Sequence, residues 1–257
     1  MLTNEQMQQY ERDGFVIFEN LFKPEEIKPI RDIIDRLDEE SERKLKEGGD
    51  KKNFISIANQ INFNVNLNFH DATLQKFAAE ERFVNITTSI LGPDIRLYWD
   101  QSVYKRPEAN RDFPWHQDNG YVPTDPMHYL TCWLALEDAM IENGCIWVQP
   151  GSHRQGFVEH VKSETGWVCY QGEDPGTPVE LKKGSMVAFN SLLFHRSTPN
   201  LSQITRKGYI LQYSVVGSKH SETGVEFRNG PIIALGGKAV YSRYQTKEEI
   251  QQSKETA

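Results

Sequence analysis

After Gly92-Pro93 the character of the chain changes, and that change limits the possible folds more than any other feature of the sequence. From Asp94 onward, short runs rich in β-branched and aromatic residues alternate with Gly, Pro and Asn turns: 95–104, 129–136, 145–149, 186–189 and 208–216. Short strands in this number bury their edges by closing into a barrel or stacking as a jelly roll. The expected fold is therefore mainly β, with a barrel or jelly-roll core.

Before Gly92 the pattern is helical. Thr3 caps a first helix with Gln6 three residues later, and Gly14 stops it ahead of the strand-like run 15–18. Pro24 opens an amphipathic segment that places Ile27, Ile30, Ile33, Ile34 and Leu37 on one face and ends at Gly48-Gly49. Two more helices are predicted over 73–80 and 82–91. One stretch breaks the pattern: QINFNVNLNFH, residues 60–70, alternates strictly between apolar residues and amides. Period two predicts a strand, with an amide face that is either a solvated edge or the lining of a polar cavity. Asparagine is a poor strand former, so four of them on one face favour the cavity, with Asn62 and Asn64 as substrate contacts. No repeat or low-complexity linker divides the chain. One domain over 1–257 is expected, with a helical buttress mainly in 1–92, a β core mainly in 94–220 and a long polar loop at 159–178.

Charge and cysteine usage narrow the function. With 29 basic and 36 acidic residues the net charge is −7, and no basic stripe is present, which speaks against nucleic acid or an anionic membrane as partner. The apolar run 129–136 is too short to cross a bilayer, and the polar N-terminus is not a secretory signal. Cys132, Cys145 and Cys169 form no CxxC pair and read as reduced thiols, so a cytoplasmic globular protein is expected.

The chemistry starts in FPWHQDNGYVP, residues 113–123. His116 and Asp118 stand at i and i+2, which on a strand or its end point to one side. His195 follows the apolar strand MVAFNSLLF and is placed to turn back into a barrel. Two imidazoles and one carboxylate suit a non-haem ferrous ion with open positions. A zinc or manganese cupin-like hydrolase or isomerase, or a non-catalytic binding barrel, are the alternatives. Arg206, just before KGYILQYSVV, offers a planar fork for a carboxylate. Gln117 and Tyr121 flank the ligands as substrate contacts or as packing for the His116 ring, while His153 belongs to its own turn and His128 and His160 to the surface.

These motifs, together with QYERDGFVIFENLFKPEEI, LGPDIRLYWDQSVYKRP and CWLALEDAMIENGCIWVQPGSH, occur in the order found in one family. The chain resembles the phytanoyl-CoA dioxygenase family of Fe(II)/2-oxoglutarate-dependent oxygenases. The resemblance implies a double-stranded β-helix (a jelly-roll, cupin-like barrel), iron on His116, Asp118 and His195, and O2 as oxidant. It implies that Arg206, helped by Ser197 and Trp133, holds the far carboxylate of 2-oxoglutarate. Some members bring a basic residue to the cosubstrate from the segment matching NQINF, where this chain has Gln60. Halogenating relatives lack the metal-binding carboxylate, so the presence of Asp118 implies hydroxylation or another oxidation. Family substrates range from fatty acyl thioesters to amino acids, osmolytes, phosphonates and secondary metabolites.

Overall fold

Thr3 accepts a hydrogen bond from the Gln6 amide while the Gln6 side chain bonds back to Thr3, so helix α1 (Asn4–Asp13) opens on a capping box. Gly14 ends it in the left-handed region at φ 83° and releases strand β1 (Phe15–Phe18). The structure is a computed structural model that describes residues 2–48, 52–53, 55–107, 112–163 and 165–253; Gly49, part of the expected helix stop, lies outside them. Helix α2 (Pro24–Glu47) buries Ile27, Ile30 and Ile34 as its pattern required. Helices α3 (Ala72–Ala78) and α4 (Glu81–Leu91) follow, within a residue or two of expectation.

The remaining main strands are β2 (Ile61–Val65), β3 (Ile95–Lys105), β4 (Phe113–His116), β5 (Leu130–Ala135), β6 (Ile146–Val148), β7 (Thr177–Val179), β8 (Met186–Asn190), β9 (His195–Ser197), β10 (Arg206–Val215) and β11 (Ile232–Leu235). The larger sheet runs β1-β8-β5-β10-β3-β2, with β11 also paired to β3, and the smaller runs β7-β6-β9-β4. All of these pairings are antiparallel. The two sheets and their flanking helices make the expected mainly-β jelly roll. Two strands from ahead of Gly92, β1 and β2, join the larger sheet, so the helical front also contributes to the β core.

Period-two alternation sorts strands β5, β8 and β10 between two cores, and β3 changes parity at an irregularity opposite Gln212 and Tyr213. Leu130, Cys132 and Leu134 of β5 pack with the helices, whereas Trp133 and Ala135 face the smaller sheet. On β10, Tyr209, Leu211 and Tyr213 go to the helical side and Ile210 to the inner side. Arg206, Gly208 and Gln212 share the parity of Ile210, as Lys105 shares that of Val103 on β3 and Thr131 that of Trp133 on β5. The polar residues of the site therefore sit on the inner faces of strands whose outer faces are apolar.

Three expectations need correction. The strand over 60–70 ends at Val65, because Asn66 turns left-handed at φ 57° and a short 3-10 turn, Leu67–Phe69, follows. Asp100 draws the chain into that turn by accepting from both the amide and the side chain of Asn68. The run MVAFNSLLF is not one strand: β8 stops at Asn190, whose carboxamide caps the Leu192 amide at 2.9 Å. The chain then crosses to the smaller sheet, and His195 opens β9 there. The segment 159–178 carries a small hairpin, Val161–Lys162 with Trp167–Val168, and its end enters β7.

Candidate metal and cosubstrate site

His195 and His116 are direct cross-strand partners on β9 and β4, with ring centroids 4.0 Å apart. Gln117 is extended (φ −105°, ψ 143°), so Asp118, two residues past the end of the strand, returns to the same side as His116. The three side chains each offer a ligand atom, all within 4.8 Å of one another. His116 Nδ1 lies 2.8 Å from the Pro114 carbonyl and His195 Nδ1 lies 3.0 Å from the Leu193 carbonyl. Each Nδ1 donates its proton to a backbone oxygen, which leaves both Nε2 lone pairs aimed inward. These Nε2 atoms stand 3.9 and 3.4 Å from Asp118 Oδ1.

Asp118 has its other oxygen fixed from behind. Oδ2 accepts from Thr131 Oγ1 at 2.5 Å and from Gln212 Nε2 at 3.0 Å. Burial alone would raise this carboxyl, but the facing imidazoles and the Thr131 hydroxyl hold it below the usual carboxylate range. Burial, with the neighbouring His195, pushes His116 down to about 3. A neutral imidazole beside an ionised carboxylate is the protonation state that a metal ligand requires. Neither Thr131 nor Gln212 was singled out from sequence, although both share strand parity with residues that were, Trp133 and Arg206.

Further along the inner face, Arg206 is 2% exposed and donates from Nη1 to the Gly144 carbonyl at 3.0 Å. Its Nε is buried with no partner, and burial lowers the guanidinium to about 10. Its guanidinium carbon lies 5.3 Å from the centre of the Trp133 ring, which in turn covers the bare backbone of Gly208. Ser197, two residues after His195, accepts from Lys105 Nζ at 3.2 Å. Lys105 itself, 1% exposed, is a further residue that sequence reading passed over. The donor set fits the group the family implies, with two nitrogen lone pairs and one free carboxylate oxygen for a metal. An unsatisfied guanidinium nitrogen and a hydroxyl stand ready for a cosubstrate carboxylate.

Other expected contacts lie elsewhere. Asn62 is fully buried and donates to Asp38 of α2 at 2.9 Å, and Asn64 donates to the same carboxylate at 3.3 Å. The inward face of β2 is the apolar one: Phe63 packs on Phe113 (5.9 Å), which packs on His116 (4.8 Å). The amide row therefore secures a helix and does not line the cavity. Gln117 is likewise fully committed, donating to the carbonyls of Gly156 and Leu192 and accepting from the Val158 amide, so it is a structural clamp with no group left for substrate. The Gln60 backbone carbonyl accepts from the Arg106 amide at 2.8 Å, which sets the residue beside Ile61, the cross-strand partner of Lys105. His160 is not a plain surface group, since its Nε2 accepts from the Gln117 amide at 3.0 Å and its ring covers Gly120. His153 packs against Gly14 at the end of α1. Tyr121 remains at the site, its ring 5.5 Å from His116 and its hydroxyl accepting from the Trp167 amide at 3.3 Å.

A jelly roll that holds two imidazoles and one carboxylate on the inner face of its smaller sheet defines the class of two-histidine, one-carboxylate oxygenases. The profile describing phytanoyl-CoA dioxygenase (PhyH) matches residues 10–208, and the chain belongs to that family of iron- and 2-oxoglutarate-dependent oxygenases. A phytanoyl-CoA dioxygenase of Arabidopsis thaliana is 25% identical over 248 residues, spanning 82% of this chain and 88% of its own. A Dictyostelium discoideum homologue of phytanoyl-CoA dioxygenase domain-containing protein 1 is 28% identical over 255 residues, spanning 82% and 91%. Among solved structures, the epimerase SnoN in complex with Fe3+ and α-ketoglutarate shares the fold at TM-score 0.66 and 20% identity, with 86% of each chain covered. Among the described residues no helix is long and apolar enough to cross a membrane.

Proposed function

We propose that this protein hydroxylates an unactivated C–H bond of a small molecule, with His116, Asp118 and His195 as the iron ligands and Arg206, Ser197 and Trp133 as the cosubstrate grip. Ferrous iron with 2-oxoglutarate and O2 supplies the oxidising power, and the cosubstrate leaves as succinate and CO2. The chain supplies geometry. Backbone carbonyls fix the two imidazole tautomers, and Thr131 with Gln212 hold one Asp118 oxygen so that the other meets the metal. Arg206 orients the dicarboxylate through a charge-assisted pair in a dry pocket, which favours it over keto acids that lack the second carboxylate. We read the whole chain as one domain, because strands from both sides of Gly92 share one sheet.

The substrate side follows from the tyrosines around Asp118. Burial and the Asp118 charge together raise the phenols of Tyr98, Tyr121 and Tyr129 above their ordinary value, Tyr121 to about 12. All three are therefore neutral hydroxyl donors on aromatic faces. Tyr98 and Tyr129 pack at 4.7 Å, and Phe227 closes on Tyr98 at 4.8 Å. Such a wall suits a substrate with an apolar body and a hydrogen-bond acceptor.

One observation carries this reading: Asp118 Oδ1 faces the two Nε2 atoms while Oδ2 is tied back by Thr131 and Gln212. The test is anaerobic addition of Fe(II) and then 2-oxoglutarate, expected to give a weak visible charge-transfer band, followed by succinate release over a compound panel in air. Metal content without that band, or an activity supported by zinc alone, points to the hydrolase alternative. The presence of Asp118 favours hydroxylation over halogenation. Epimerisation by SnoN, named above on the same fold, is the second outcome that the product analysis distinguishes.

A further inference from the structure

We infer that Lys105 is a second cationic anchor for the distal carboxylate of 2-oxoglutarate, acting beside Arg206 and setting Ser197 as a hydroxyl donor; this rests on the function proposed above. Lys105 and Arg206 are direct cross-strand partners on β3 and β10, so their side chains leave the sheet on the same inner face. Both are almost fully buried, and like charges directly opposite each other destabilise a strand pair. Among the described residues no carboxylate is hydrogen-bonded to either cation, and exposed Asp112 offsets the Lys105 charge only in part. A fold with no ligand to bind gains nothing from two facing, uncompensated cations.

The two side chains also meet at one backbone residue. The Gly144 carbonyl accepts from Arg206 Nη1, and a Cβ on Gly144 would lie 3.3 Å from Lys105 Cδ. Lys105 Nζ spends its protons on neutral oxygens: Ser197 O at 3.4 Å, Ser197 Oγ at 3.2 Å and the Thr198 carbonyl. Because Ser197 Oγ accepts from an ammonium, its own hydrogen is free to donate to an anion. The result is a subsite with two positive charges and one oriented hydroxyl, which matches a carboxylate far better than any neutral group. Burial and the facing Arg206 push Lys105 down to about 7, consistent with a cation that awaits its counter-charge.

The alternative role is a clamp that merely pins the Ser197-Thr198 turn to β3. Calorimetry on the anaerobic, Fe(II)-loaded protein separates the two, using 2-oxoglutarate and 2-oxopentanoate, a keto acid of equal length without the distal carboxylate. Lys105→Met is expected to weaken 2-oxoglutarate about tenfold or more while leaving 2-oxopentanoate within about twofold, and Lys105→Arg to restore most of the loss. If Lys105→Met does not fold, Lys105→Gln, which keeps hydrogen bonding without charge, takes its place. Equal weakening of both keto acids, or no change in either, overturns the anchor and leaves a clamp. Wild-type protein that binds neither keto acid overturns the cosubstrate reading of the whole site.

Discussion

Gln212 reaches from β10 to Asp118 Oδ2 at 3.0 Å, and the same amide nitrogen lies 3.1 Å from Thr131 Oγ1. Two residues from remote parts of the chain thus hold the Asp118 carboxylate in one orientation. A flexible aspartate would leave its metal with two histidines for part of the time. Gln212→Ala and Thr131→Val are each expected to weaken metal affinity roughly 10–100-fold, the usual effect of removing a group that orients a ligand. Competition against a chelator measures it, and an unchanged affinity would show that Asp118 needs no support.

Arg206→Lys keeps a positive charge but loses the planar fork and the bond to Gly144 that aims it. Cosubstrate affinity should fall about 100-fold or more while Fe(II) affinity stays within about threefold. Parallel titrations with metal and with 2-oxoglutarate test this. A loss of metal binding instead would mean that Arg206 supports the fold around the ligands.

Asn62→Ala should act on stability, not on substrate. It strips a donor from Asp38, a carboxyl whose pKa burial raises even with Arg106 beside it. The expected cost is about 1–3 kcal/mol in urea unfolding, with turnover per folded molecule unchanged. A raised substrate KM at normal stability would return the amide row to the active site.

The acid–base behaviour of Lys105 gives a signature in the metal-free protein. Its folded form loses a proton at about 7, whereas the ordinary value is 10.5, so between these limits the unfolded chain binds more protons. Stability then rises with pH, by at most about 1.4 kcal/mol per unit for one group. The difference between wild type and Lys105→Met isolates the effect. Cys132, Cys145 and Cys169, whose thiols burial pushes up, contribute an opposite slope as the unfolded thiols ionise, and they do so equally in wild type and variant. The urea midpoint of wild type relative to that of Lys105→Met should climb between about pH 7.5 and 8.5, and an unchanged difference would show that Lys105 does not titrate there.

Much of this arrangement was legible in the residues themselves. The shift to short strands after Gly92, the capping box at Thr3, and the i, i+2 spacing of His116 and Asp118 are local patterns, and local sterics enforce them wherever the chain goes. The order of motifs pointed to the family and hence to His195 and Arg206. What the sequence left open was which face of a strand looks inward. The amides of β2 and the apolar side chains beside them alternate equally well in either orientation, and only contact with α2 decided that Asn62 meets Asp38 and Phe63 meets Phe113. The same holds for Gln117, whose three partners come from remote loops, and for Lys105, whose significance depends on Arg206 standing opposite it. Strand register is set by long-range packing of whole sheets, so the local sequence supplied the parts while the tertiary pairing of β3, β5, β9 and β10 brought them to one point.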